Sequence, residues 1–122
     1  METLKNKREF DPIYLRGSKI YTKYTIIFIK NIKIQKFGFV TSKKVGNAVK
    51  RNRLRRIFRE IVRNNIENFD SNNAYIIVAK KNCGEDFKNL NYNILKKDIL
   101  MGLKKNEKNT NKNNKNIPEN IK

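Results

Sequence analysis

The chain has 122 residues, 38% of them hydrophobic, and a formal net charge of +18 from 29 Lys and Arg against 11 Asp and Glu; this suits one domain with a modest core and a polyanionic partner, most often nucleic acid. One cysteine, Cys83, and no histidine exclude an internal disulfide, a structural zinc site and a thiol activated by a neighbouring imidazole. No apolar run approaches the about 20 residues that span a bilayer, and the opening METLKNKREF lacks the apolar segment of a signal peptide, so a soluble, cytoplasmic protein is expected.

Residues 1–9 are basic and polar, with no usable periodicity. Asp11 and Pro12 read as the N-cap and first position of a short helix that Gly17 ends; a start near Asn6 would put Pro12 in the first turn or kink the helix. Residues 22–34 are rich in β-branched and aromatic side chains around the apolar centre Ile26, Ile27, Phe28 and Ile29, which predicts one long strand or two broken near Asn31. A further strand follows over residues 36–42, with Phe37, Phe39 and Thr41 on one face and Gly38 and Val40 on the other.

Residues 43–63, KKVGNAVKRNRLRRIFREIVR, hold nine Lys and Arg against the single acid Glu60. At about 100 degrees per residue, Leu54, Ile57, Phe58, Ile61 and Val62 fall on one side and Arg55, Arg56, Arg59 and Arg63 on the other. An amphipathic helix over residues 48–65 is predicted, with Asn47 as its N-cap and Gly46 supplying the bend. Lys, Asn and Ile are abundant throughout, so the lysine excess is weak evidence, but five of the eight arginines lie between Arg51 and Arg59. Like charges at i and i+4 cost about 0.2–0.5 kcal/mol each, and a face that costs stability in the free protein implies a partner that neutralises it. Guanidinium suits phosphate or an unpaired base better than ammonium does. A membrane-surface or calmodulin-type helix fits less well, because the apolar side is needed by the sheet.

Beyond a polar turn at residues 70–73, residues 74–79 (AYIIVA) read as a buried strand, parallel to the one before the basic helix because a crossover joins them. A last helix is predicted over residues 85–103, with Phe87, Leu90, Ile94 and Met101 on one side and Leu95 and Ile99 beside them. Residues 104–122 are a Lys- and Asn-rich tail with too little apolar content to order itself. The order is helix, two or three strands, helix, strand, helix, an α+β sandwich of one sheet with helices packed on it.

The run SKKVGNAVKRNRLRRIFR at residues 42–59 closely resembles the signature of the bacterial ribonuclease P protein subunit, in which an Arg-Asn-Arg motif follows a Gly-Asn-Ala-Val turn and opens a basic helix. Weaker similarity extends through Phe10, Tyr14, Gly17, Phe28 and the AYIIVAK strand with Lys80, so the resemblance covers about residues 4–103. It implies a two-layer α+β sandwich of helix, three strands, helix, strand and helix, with residues 1–103 as an RNA-binding domain and 104–122 as a disordered tail. It also implies a left-handed crossover through the basic helix, against a rule that holds in about 98% of cases. The implied role is the small protein partner of a catalytic RNA that removes the 5′ leader from precursor tRNA. The hydrolysis would be carried by magnesium ions held mainly by RNA, with no catalytic or metal-binding residue on this chain, no membrane contact and no protein partner required. By the same resemblance Arg51, Asn52, Arg53, Arg55, Arg56 and Arg59 would hold the catalytic RNA, with Arg51 and Asn52 near enough to the sheet to touch the leader. Phe10, Tyr14 and Phe28 would stack on leader bases, and Lys43, Lys44 and Lys80 would neutralise its phosphates. The rival reading is a ribosomal or general RNA-binding protein, in which Asn52 is dispensable.

Overall fold

The computed structural model describes the backbone of residues 1–115 and the side chains of residues 1–106. Helix α1 (Lys7–Arg16) leads into strands β1 (Ser18–Tyr21), β2 (Thr25–Asn31) and β3 (Lys36–Val40). Helix α2 (Ala48–Asn64) then crosses to β4 (Asn73–Ala79), and the one-turn helix α3 (Asn82–Glu85) precedes α4 (Tyr92–Lys115). The strands stand in the order β1-β2-β4-β3. β1 with β2 and β2 with β4 pair antiparallel, whereas β3 and β4 run parallel, as expected for strands joined by a helix.

Side chains alternate across a strand, so β4 serves two cores. Tyr75 and Ile77 pack with Ile27 and Phe37 against Leu54, Phe58 and Ile61 of α2 and Leu95, Ile99 and Leu103 of α4. Ala74 and Ile76 face the other way, towards Leu4 and Ile13, with Phe10, Tyr14, Phe28, Val40 and Val78 packed around them. Burial on both faces is why β4 reads as an unbroken apolar run. Helices α2 and α4 thus cover one face of the sheet, and α1 covers part of the other.

α2 begins where the sequence places it. The Asn47 side chain accepts from Lys50 N at 3.0 Å, and Gly46 has φ 151°, in the region that favours glycine.

Other expectations need correction. α1 starts at Lys7, with the Asn6 side chain accepting from Glu9 N at 3.1 Å, and Pro12 lies inside it. The Asn6-x-x-Glu9 spacing is a helix-start signal that the Asp-Pro pair masks. Strand β1 supplies the third strand that the resemblance implies, at residues 18–21 where no local pattern marks one, and the strand expected over residues 22–34 shrinks to β2 because Thr22 opens a turn: its N–H donates to the Thr25 carbonyl at 2.9 Å. The Asp98 carboxylate of α4 holds this turn, accepting from Thr22 Oγ1 at 2.6 Å and from Lys23 N and Tyr24 N at 3.0 Å each. No local pattern reveals an acceptor so far along the chain.

The last helix starts later than expected. Leu90 is extended, and Asn91 then accepts from Ile94 N at 2.9 Å. Its buried stripe is Leu95, Ile99 and Leu103, whereas Ile94 and Met101 are exposed. α4 also continues beyond Leu103 to Lys115, into the segment expected as tail; residues 116–122 of that tail lie outside the described residues.

Candidate nucleic-acid interface

On α2, Arg53, Arg56 and Arg59 are exposed, and Arg51 and Arg55 are half-buried. Among the described residues the only ion pair joins Lys36 to Glu9, so no carboxylate neutralises these five guanidinium groups. Aromatic rings and neutral oxygens position three of them instead. Arg59 lies over the Phe39 ring at 5.7 Å, and Arg53 and Lys50 over Phe87 at 5.9 and 5.4 Å. Arg55 donates through Nη1 to Thr41 Oγ1 at 2.7 Å and through Nη2 to Asn52 Oδ1. Thr41 follows β3 directly, so this pair of contacts ties the arginine row to the end of the sheet. Arg51 reaches the same place, its carbonyl accepting from Thr41 Oγ1 at 3.5 Å. Its Nε is buried without a hydrogen-bond partner, and an unmet donor in a half-buried guanidinium is suited to an anion.

The second surface lies on the opposite face of the sheet. Phe10 and Tyr14, one turn apart on α1, stack with ring centroids 6.1 Å apart, and Tyr14 meets Phe28 of β2 edge-on at 4.7 Å. Pro12 between them leaves this spacing intact. Gly38 makes room for the first ring: a Cβ there would lie 2.6 Å from Phe10. The Glu9–Lys36 pair at 2.9 Å fastens α1 to β3. Hydrogen bonding from Lys36, then from the Lys5 N–H, holds the Glu9 carboxyl below its ordinary range. Lys19 of β1 carries its ammonium over Phe28 at 5.5 Å; it was not anticipated, because no local pattern marks residues 18–21 as a strand.

The expected lysines sit at one end of this face, beyond Phe10, Tyr14 and Phe28. Lys43 and Lys44 are exposed in the 3-10 turn Lys43–Val45 that follows β3. Lys80 follows β4 at the same end, with Nζ bonded to the Thr22 carbonyl and over the Tyr21 ring at 5.8 Å. Phe10, Tyr14 and Phe28 therefore form one contacting group, and Asn52 and Arg55 another. Cys83 belongs to neither: it is buried, its Sγ donates to the Tyr24 carbonyl at 3.1 Å, and burial pushes its thiol up to about 12.

A family model described as Ribonuclease P matches residues 1–107. The chain belongs to the ribonuclease P protein family. The ribonuclease P protein component of Fusobacterium nucleatum is 46% identical over 101 residues, covering 81% of this chain and 91% of the relative. That of Nitratiruptor sp. is 41% identical over 108 residues, covering 86% and 94%. Among solved structures, the ribonuclease P protein from Thermotoga maritima matches with a TM-score of 0.78 at 25% identity, covering 86% of this chain and 97% of that one. The Staphylococcus aureus protein shares the fold, with a TM-score of 0.73 at 23% identity over 85% of this chain and 94% of that one. The Arg-Asn-Arg run at residues 51–53 lies in the first turns of α2, with the Arg51 carbonyl at Thr41, Asn52 holding Arg55, and Arg53 over Phe87.

Proposed function

We propose that this chain is the RNA-binding, non-catalytic subunit of ribonuclease P, joining the ribonuclease P RNA to the 5′ leader of precursor tRNA. The observation that carries this reading is the separation of two surfaces by one sheet. Arg53, Arg55, Arg56 and Arg59 present guanidinium groups that make no ion pair among the described residues, with Glu60 the one acid of α2 beside them, and are suited to the phosphates of a folded RNA. Phe10, Tyr14 and Phe28 form a contacting aromatic group, and unpaired bases stack on such rings whatever their sequence. Arg51, whose carbonyl accepts from Thr41 at the end of β3, and Asn52 beside it are assigned to the leader as well as to the RNA, and Lys43, Lys44 and Lys80 supply charge at the open end of the aromatic face.

Among the described residues no group of three or more His, Cys, Asp or Glu is placed to hold a metal ion. In this reading, phosphodiester hydrolysis belongs to magnesium held by the RNA, while this chain binds and orients. No helix among the described residues is long and apolar enough to cross a membrane, and we place the protein with its RNA in the cytoplasm.

The test is cleavage of precursor tRNA by a ribonuclease P RNA at low magnesium, with and without this protein. Stimulation well above that of an unrelated basic protein of equal charge is expected; equal stimulation by both would defeat the assignment.

A further inference from the structure

The aromatic face extends past α1. By register, Lys19 lies opposite Phe28 and Tyr21 opposite Ile26 across the β1–β2 hairpin, and these pairs share the face that carries Tyr14 and Phe28. Tyr21 is 65% exposed, unusually open for a large ring in a strand, and Lys80 holds its ammonium over that ring at 5.8 Å. The arrangement repeats the one beside it, where Lys19 lies over Phe28 at 5.5 Å. Each unit joins a flat ring, on which a base can stack, to an ammonium that can meet the adjoining phosphate. Lys80 is held for this by its bond to the Thr22 carbonyl, in the turn that Asp98 clamps.

We infer that Tyr21 and Lys80 form a further nucleotide subsite, placed after Phe28 on a single-stranded RNA track that leaves the shelter of α1 and crosses the open end of the sheet. This rests on the leader occupying the aromatic face. Tyr21 and Phe28 are diagonal neighbours on adjacent strands, about 7–8 Å apart at their roots. That exceeds the about 3.4 Å between stacked bases of one strand, so the two bases are splayed, each on its own ring, and the RNA is read extended rather than helical. Recognition by stacking and phosphate charge is tolerant of sequence, so the subsite senses the length of the leader more than its composition.

The test uses the protein reconstituted with a ribonuclease P RNA and a series of precursor tRNAs whose leaders lengthen by single nucleotides. Tyr21→Ala is expected to remove the last gain in affinity along the series, about 5- to 150-fold, leaving substrates too short to reach the subsite unchanged. Tyr21→Phe retains that gain. If Tyr14→Ala weakens binding of leader-bearing substrates while Tyr21→Ala does not, the subsite is refuted and the track stands. If neither substitution distinguishes leader-bearing from mature tRNA, the track fails and takes the subsite with it. Equal loss by Tyr21→Ala on every substrate, mature tRNA included, assigns the ring a structural role and overturns the inference.

Discussion

Asn52 is exposed and uncharged, yet its side-chain oxygen is one of two acceptors that hold the Arg55 guanidinium, Thr41 being the other. This gives a physical reason for an asparagine between two arginines: it fixes the direction in which a third arginine presents its donors. Asn52→Ala should lower affinity for ribonuclease P RNA by about 1 kcal/mol, and Arg55→Ala by more. The double variant should lose no more than Arg55→Ala alone, because the two residues act as one unit. Binding titrations of the four proteins check this, and simple additivity would show that Asn52 contacts RNA on its own account. The Arg-Asn-Arg motif was conspicuous in the sequence, but the role of its asparagine was not. Its Arg55 contact lies within one helical turn, yet its meaning depends on Thr41, which only the packing of α2 against the end of β3 supplies.

At the scale of elements, α1 stays docked through Ile13 beneath it, Phe10 over Gly38 and the Glu9–Lys36 pair beside it. The Glu9 carboxyl is held below its ordinary value of 4.5. Its contribution to stability is therefore complete above that value and is lost as the pH falls through the lower folded-state value. Thermal melting between about pH 5 and pH 2 should show this loss in the wild type, with a weaker pH dependence in Glu9→Gln; identical profiles would mean that the pair is fully screened. Another contact concerns α3. A Cβ on Gly84 would lie 1.7 Å from the Val45 carbonyl oxygen, so α3 and the turn carrying Lys43 and Lys44 meet backbone to backbone. Gly84→Ala should cost at least about 1–3 kcal/mol and weaken RNA binding by shifting the entry to α2; an unchanged melting temperature would show that the contact relaxes freely. Elements with a strong period of their own, α2 and β4, were legible in the sequence almost to the residue. β1 and the start of α4 were not, because Asp98 and the extended Leu90 decide them, and those contacts belong to the assembled chain.

For the whole molecule the governing quantity is the charge of +18, with a single ion pair among the described residues. RNA affinity should therefore fall steeply with salt. Replacing Arg56 and Arg59 together by Ala should flatten the plot of log affinity against log salt by about 0.7–0.9 for each phosphate contact removed. An unchanged slope would mean that these two groups stay hydrated in the complex. The same measurement on Phe10→Ala should shift the line without tilting it, because stacking releases no counterions.

The first residues have a consequence of a different kind. They looked featureless in sequence, yet Leu4 N donates to the Phe37 carbonyl at 2.8 Å, Phe37 N donates to the Glu2 carbonyl at 3.0 Å, and Leu4 is buried. This short pairing covers the outer side of β3, which would otherwise be an open sheet edge able to recruit another chain. Trimming residues 1–5, whether by a cellular peptidase or by the choice of an expression boundary, would leave the arginines in place but uncover that edge and remove Leu4 from the core on which the rings pack. The expected symptom is loss of soluble protein through aggregation, visible by light scattering before any loss of RNA affinity per folded molecule.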